Sequence, residues 1–318
     1  MGWAIDSAVE VFKKSFDYKS LYWSYFLIGL LAFVIFAIIS IFIIIIPAYL
    51  LIMPSLLPLM QAQANPAAIL LAFQSLLQAL PQIIIGFAII LIIFTIVATL
   101  WDSFISGLSL NIASDYLKNA KFSVGRAIEK TKPRLLVLFA LNIIFTILLN
   151  ILSLILILPA ILSLLNLLNS FTSAGGLFAL MNQSFLINFT QQLSTISAQI
   201  DFGNLLNLII TFLISPFLVM IAPVALFEKR GVFASIGRII ELGKKSYLPT
   251  LGYFILLALL AIIAIIVFVI AFFISLLLMF VLVGIPLLII ISIAFMLWLM
   301  AFSNLLIAKL YQVKASMK

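Results

Sequence analysis

The chain has 318 residues, of which 66% are hydrophobic and only 8% are charged, and its formal net charge at pH 7 is +8. A soluble domain needs more charge than this to solvate its surface, so the composition excludes a soluble globular protein and indicates a membrane protein. The sequence has no cysteine and no histidine, which excludes disulfides, thiolate nucleophiles, imidazole bases and the commonest ligands of transition metals.

The first predicted element is a short amphipathic helix at residues 5–16. Ser7 and Glu10 have the spacing of a capping box at a helix N-terminus. We expect the helix to lie in the membrane interface, with its apolar face among acyl chains and its charges toward water. The apolar residues at helical spacing are Ile5, Ala8, Val9, Phe12 and Phe16.

Long apolar stretches predict six membrane-spanning helices. Each has the length of roughly 20 residues that crosses about 30 Å of hydrocarbon. Continuous apolar stretches lack the alternation of a β-barrel, so the predicted fold class is an all-α integral membrane protein. A glycine and a proline in residues 281–286 predict the last turn. The predicted crossings are residues 21–47, 82–112, 135–158, 205–227, 249–280 and 285–310.

A basic, amphipathic phrase occurs twice in the chain. Residues 123–129 have the sequence SVGRAIE, residues 235–241 have the sequence SIGRIIE, and residues 7–14 form a weaker third copy. Each copy precedes an out-and-back pair of crossings, which indicates three parallel two-helix repeats, each beginning with an interfacial amphipathic helix. The repeats divide one membrane domain into residues 1–120, 121–230 and 231–318.

The positive charges lie on one side of the predicted topology. Residues 1–20 hold three Lys or Arg, residues 113–134 hold six, residues 228–249 hold five, and the segment after 308 holds three. The connections on the other side hold none, and two of them predict amphipathic helices at residues 65–81 and 183–199. By the positive-inside rule, we expect a cell-membrane protein with both termini in the cytoplasm.

Polar residues recur at helical spacing inside three of the predicted crossings. Facing lipid they would lose hydrogen bonds at a cost of several kcal/mol, so we expect them to face one another or a wet cavity. They form either interhelical hydrogen bonds or a polar pathway for an ion, a proton or a small solute. The candidates are Thr95, Thr99, Asp102, Ser106 and Ser109, then Asn142, Thr146 and Asn150, then Asn207 and Thr211.

Asp102 is the one acid inside a predicted crossing. It lies fourteen residues before Tyr116, the predicted cytoplasmic end of its helix, which corresponds to about 21 Å at 1.5 Å per residue. An ionisable residue at mid-bilayer is a functional-site hypothesis. If the hydrocarbon span ended near Leu100 instead, Asp102 would be interfacial. Its predicted partners are Asn142, Asn150 and Asn207.

No grouping of residues predicts catalysis. The sequence has no nucleophile beside a base, no pair of membrane carboxylates and no metal cage, so we expect no enzyme and no cofactor. The positive charge does not predict nucleic-acid binding, because no basic face is interleaved with aromatic residues. It predicts contacts with anionic lipid head groups, made by Arg126, Lys130, Arg134, Arg238, Lys244 and Lys245.

The repeat of a short amphipathic helix and a long helical pair, with the phrase S-[VI]-G-R-x-I-E, resembles uncharacterised prokaryotic and archaeal six-helix membrane proteins. These are related to the membrane domain of glycerophosphodiester phosphodiesterases. The chain has no catalytic domain and no histidine, so the resemblance implies no phosphodiesterase activity. It implies only a structural role for Arg126, Glu129, Arg238 and Glu241.

Two functions follow from these observations. The first is a non-enzymatic scaffold or accessory subunit that binds lipid and other membrane proteins. The second is a transporter or channel with a polar pathway past Asp102. The richness in Ile and Leu and the lack of cysteine would suit an archaeal source, and the sequence leaves the oligomeric state open.

Overall fold

The chain folds into long helices joined by short turns. The computed structural model describes residues 2–15, 21–61, 66–173, 182–245, 247–277 and 284–316, and no strand occurs among them. The helices are α1 (Gly2–Ser15), α2 (Leu21–Ser40), α3 (Ile46–Gln61), α4 (Pro66–Leu117), α5 (Val124–Thr131), α6 (Leu135–Ser173), α7 (Gln183–Leu218), α8 (Ile221–Phe227), α9 (Val232–Lys244), α10 (Tyr247–Leu277) and α11 (Gly284–Ser316). A π-helical segment, Ile41–Ile45, joins α2 to α3.

Five segments in the described part of the chain are long and apolar enough to cross a membrane: Leu21–Pro58, Pro81–Leu117, Val124–Phe171, Gln183–Phe227 and Ile285–Ser316. The prediction of an all-α membrane protein is therefore confirmed. The predicted crossing at 249–280 coincides with α10, which is not among these five segments but contains two shorter apolar helical stretches, Tyr247–Leu256 and Ile265–Ser275. Half of the predicted turn at 281–286 lies outside the described residues, and its Gly284 and Pro286 belong to the first turn of α11.

Several helices are longer than the sequence predicts. The expected separate helix at 65–81 is continuous with the second crossing in α4, which has 52 residues, and the expected helix at 183–199 is continuous with the fourth crossing in α7. The 39 residues of α6 are about 58 Å long, nearly twice the hydrocarbon thickness of about 30 Å. Ala160 and Leu167 of α6 pack with Ile196 of α7, so this hairpin holds together far from the basic end.

The buried core of the fold lies at the basic end of the helices. It combines the start of α2, the end of α4, the whole of α8 and the last turns of α11 with the inner faces of α1, α5 and α9. The opposite halves of the crossings expose their apolar side chains, as expected of helices that face lipid. The largest fully buried apolar side chains include Tyr25, Leu21, Ile28, Leu108, Ile112, Leu138, Met220 and Ile239.

Each of the short helices α1, α5 and α9 forms an ion pair with the end of a long helix or with a neighbouring turn. Lys309 of α11 lies 2.6 Å from Glu10 of α1. Hydrogen bonds from Lys309 and, to a smaller extent, from Lys14 of the same helix lower the pKa of Glu10 below its usual value. Lys130 of α5 lies 2.7 Å from Asp115 of α4. Helix α1 is thereby attached to the last helix of the chain, and α5 to the helix that precedes it.

The ion pair of α9 is part of a larger cluster. Arg238 lies 3.0 Å from Glu228, which follows α8, and 2.6 Å from Glu241 on its own helix. The bonds from Glu241 and then Glu228 raise the pKa of Arg238. The Tyr311 hydroxyl of α11 also donates to Glu228, at 3.2 Å. Glu228 therefore joins α8, α9 and α11.

The two copies of the basic phrase begin their helices differently. Ser123 is the N-cap of α5, and its side chain accepts a hydrogen bond from the backbone N–H of Arg126 at 3.3 Å. Its counterpart Ser235 lies inside α9, because that helix begins three residues earlier at Val232. The Ser235 hydroxyl is buried and has no hydrogen-bond partner among the described residues. Similar sequence phrases thus take different positions in their helices.

A glycine lets α9 pack closely against α7. A Cβ atom on Gly243 would overlap the Phe217 ring, whereas a Cβ atom on Gly237 of the same helix would meet nothing within 4 Å. We expect Gly243→Ala to destabilise the fold by about 1–3 kcal/mol through overpacking. Gly237→Ala should be neutral or slightly stabilising, since alanine favours the helix. Thermal unfolding of both variants in detergent measures the difference, and equal melting temperatures would contradict the packing.

Candidate functional site

Asp102 lies at the junction of two cavities. The larger, of about 550 Å³, is formed by α2, α4 and α6 and is lined by Ala32, Phe33, Phe36, Ala98, Thr99, Trp101, Asp102, Ile105, Asn142 and Thr146. The smaller, of about 160 Å³, is lined by Asp102, Ser106, Leu110, Asn142, Leu218, Val219, Ile221, Ala222, Asn304 and Ile307. We call them the outer cavity and the inner cavity, because the inner one is closer to the basic end. Asp102 and Asn142 line both.

The surrounding residues place this junction inside the apolar part of the helices. Asp102 precedes the end of α4 by fifteen residues, and Asn142 follows the start of α6 by seven. Ala32 and Asn304 lie eleven and twelve residues from the basic ends of α2 and α11. At 1.5 Å per residue these positions are about 10–22 Å along their helices from the basic end. Helix α4 continues past Leu100 to Leu117, so both Leu100 and Tyr116, the two positions considered for the edge of the hydrocarbon, lie within it.

The hydroxyl groups of α4 mostly donate hydrogen bonds to backbone carbonyls of the same helix. Thr99 Oγ1 donates to the carbonyl of Thr95 at 2.7 Å, and Ser106 Oγ donates to the carbonyl of Ser103 at 3.2 Å. Such bonds to a carbonyl three or four residues earlier need no partner from another helix. The link between helices is instead Asn142, whose Nδ2 donates to Ser103 Oγ at 2.8 Å.

The carboxylate of Asp102 differs from these neighbours. Within the described residues it accepts no hydrogen bond and pairs with no cation, and the residue is exposed to the cavities. Among the described residues that line either cavity, it is also the only ionisable one. The site therefore has one carboxylate with free acceptor capacity, surrounded by hydroxyl, amide, aromatic and aliphatic groups.

The structure brings together half of the predicted polar residues. Thr99, Asp102, Ser106, Asn142 and Thr146 line the two cavities. The remaining five line neither of them. Thr95 donates to the Leu91 carbonyl, Ser109 is buried with its hydroxyl unpaired, Asn150 is exposed, and Asn207 and Thr211 are half-buried on α7. Of the three amides predicted as partners of Asp102, only Asn142 shares its cavities.

Two polar residues near the site belong to no predicted set. Ser103 receives the Asn142 bond and is completely buried. Asn111 Nδ2 donates to Thr131 Oγ1 of α5 at 3.0 Å, beside Gly107, where a Cβ atom would lie 2.6 Å from Thr131 Cγ2. The helical spacing from Thr99 to Ser103, Gly107 and Asn111 is four residues throughout, and this regular stripe was the signal available in the sequence.

The predicted lipid-contact residues fall into two groups. Lys130 and Arg238 pair with carboxylates. Both Asp115 oxygens accept from Lys130 at 2.7 Å, and Arg238, whose side chain is only 17% exposed, lies 3.0 Å from Glu228. Lys245 lies 3.4 Å from Glu241. Arg126 and Lys244 are exposed, and Arg126 donates to the Lys121 carbonyl. Arg134 Nη1 donates to the Arg230 carbonyl at 3.4 Å.

The chain matches no protein-family model, no curated protein and no solved structure.

The bond between Asn142 and Ser103 predicts unequal effects of two serine substitutions. Ser103→Ala removes the acceptor of the Asn142 amide, so we expect a loss of about 0.6–2 kcal/mol in the free energy of unfolding, the range for hydrogen bonds between membrane helices. Ser106→Ala is the matched control, because that hydroxyl bonds only its own helix and a loss below about 0.5 kcal/mol is expected. Denaturant unfolding in mixed micelles measures both, and a larger loss for Ser106→Ala would contradict this geometry.

Proposed function

We propose that the chain is a multi-pass cell-membrane protein that binds a small solute and lets it pass along a polar pathway at Asp102. The observation that carries this proposal is the position of Asp102 between the outer and inner cavities. A free carboxylate inside the span is costly to keep, and such residues mark substrate or ion pathways. The lining groups can bind a solute but offer no nucleophile beside a base, so the proposed role is not enzymatic.

The proposed topology has six crossings in three parallel repeats, at residues 1–120, 121–230 and 231–318, with the basic side and both termini in the cytoplasm. The ion pairs support it. Helix α5 is joined to α4, α9 to the residue after α8, and α1 to α11, which is the order of contacts expected for three units around one axis. The gathering of the buried core at the basic end supports the same arrangement.

The lack of cysteine in the sequence makes this topology simple to test. Single cysteines in place of Arg126, Lys244 and Asn188 occupy exposed positions, two at the basic end and one on α7. In sealed right-side-out vesicles, a membrane-impermeant maleimide should label only the cysteine at 188. Inverted vesicles should give the opposite pattern. Labelling of positions 126 and 244 from different sides would contradict the repeat topology.

A second candidate function is the lipid-binding scaffold, and the surface of α9 favours it. The Phe233 side chain is 87% exposed and Leu248 just beyond the helix is 72% exposed, close in sequence to the exposed cation Lys244. Apolar and cationic groups together at the membrane surface suit an anionic lipid, as in interfacial amphipathic helices. Such a scaffold needs no aqueous route to Asp102, which separates it from the first proposal.

Accessibility of the two cavities distinguishes the pathway from the scaffold. Thr99→Cys lines the outer cavity and Asn304→Cys lines the inner one. We expect a charged, membrane-impermeant thiol reagent to reach position 99 from outside and position 304 from the cytoplasmic side. Leu100→Cys is the matched control, because Leu100 is exposed on α4 but lines neither cavity. Reaction at none of the three positions would reject the pathway and leave the scaffold.

A further inference from the structure

The lining of the outer cavity indicates the class of solute. We propose that the cavity binds an amphipathic organic cation, with the cationic group beside Asp102 and the apolar body among the aromatic residues of α2 and α4. This inference rests on the proposed function, since it assigns a ligand to the same site. Three observations carry it, namely the charge of the lining, the hydrogen-bonding state of its polar groups and the aromatic walls.

The charge of the lining favours a cation. Asp102 is the only ionisable residue that lines either cavity, and within the described residues no Lys or Arg is paired with it. A carboxylate in a low-dielectric span is stabilised by a cation close to it, so a positive ligand would supply what the protein does not. An anion would find no positively charged side chain among the described lining residues.

The polar neighbours of Asp102 have acceptor oxygens available for an ammonium ligand. The Thr99 hydroxyl donates its one hydrogen to the Thr95 carbonyl at 2.7 Å, so toward the cavity its oxygen can only accept. The Asn142 amide uses one of its two N–H donors on Ser103 Oγ at 2.8 Å, and its carbonyl oxygen is an acceptor. These oxygens can accept hydrogen bonds from an ammonium group that lies beside Asp102.

Three aromatic rings line the outer cavity. Phe33 and Phe36 line it from α2, and Trp101 lines it from α4. The Trp101 ring N–H donates to the Ala32 carbonyl at 3.4 Å, and the Phe36 ring makes an edge contact with Phe94 at 5.8 Å between centroids. The faces of such rings attract cations, and their area suits an apolar body.

The size of the outer cavity and the number of its carboxylates fit an organic cation better than a bare metal ion. The outer cavity has a volume of about 550 Å³, which lies in the range of roughly 300–1,000 Å³ typical of small-molecule sites. In the described part of the chain no group of three or more acidic residues could hold a metal ion. A single carboxylate with aromatic walls suits a larger, weakly hydrated organic cation instead.

A pair of probes of equal shape and opposite charge tests this inference. Tetraphenylphosphonium is a permanent organic cation, and tetraphenylborate is the anion of the same shape. Equilibrium dialysis would use the full chain in phosphatidylcholine nanodiscs, with empty nanodiscs subtracted. We expect saturable binding of the cation at one site per chain, at least tenfold tighter than binding of the anion.

Variants locate the bound cation. Asp102→Asn should weaken cation binding at least tenfold, and Phe33→Leu should weaken it severalfold. Asp201→Asn is the control, because Asp201 is an exposed acid on α7 that lines neither cavity, and its affinity should equal that of the wild type. Bound cation should also protect Thr99→Cys from the thiol reagent. Equal binding of both probes, or unchanged affinity in a folded Asp102→Asn variant, would overturn the inference.

The two proposals can fail separately. If positions 99 and 304 react from opposite sides and the cation does not bind, the pathway stands and its ligand is not an organic cation. If the cation binds in a manner that depends on Asp102 and position 304 does not react, the site stands and the pathway does not.

Discussion

Every polar group inside the membrane must find its hydrogen-bond partner within the protein, because hydrocarbon offers none. Long helices satisfy the backbone, and the hydroxyls of Thr95, Thr99 and Ser103 in α4 donate to carbonyls of the same helix. Bonds between helices are made partly by aromatic side chains that donate to backbone carbonyls, as Trp101 does to Ala32, and partly by the two amides Asn142 and Asn111. These amides attach α6 and α5 to the last third of α4.

The buried core lies close to the helix contacts made by these amides. The core gathers at the basic end, where α1, α5 and α9 each form an ion pair with the end of a longer helix or the turn beside it. Close contacts at Gly107 and Gly243 bring α5 and α9 against the crossings. Farther from this end the crossings expose most of their apolar side chains. The outer cavity lies beside this packed end, where the crossings begin to expose their apolar side chains.

The sequence predicts the class of fold well because composition and apolar length reflect the solvent directly. The capping box expected at Ser7 and Glu10 is wrong, because α1 begins at Gly2 and Ser7 lies inside it. The sequence also does not predict that Ser123 is an N-cap whereas Ser235, in the matching phrase, lies inside α9, since that depends on the preceding residues and on packing. The lengths of α4 and α7 were missed because uncharged polar residues beside an apolar stretch do not end a helix.

The candidate site shows the same division between local and tertiary information. Spacing along one helix places Thr99, Asp102 and Ser106 on one face, and all three line cavities. The rotation of one helix relative to another is not written in that spacing, which is why Asn142 faces the site whereas Asn150 is exposed.

A role in holding the helices together does not account for Asp102. Amides and hydroxyls hold the crossings together elsewhere in the described chain, at a typical gain of about 0.6 kcal/mol per contact and without the cost of a charge. Asp102 joins no helix to another, because its carboxylate has no partner among the described residues. A carboxylate that lies inside the apolar part of the helices and joins no helix to another fits the ligand-binding role that we propose for it. Its position between two cavities, rather than at a helix contact, is therefore the reason to seek a ligand there.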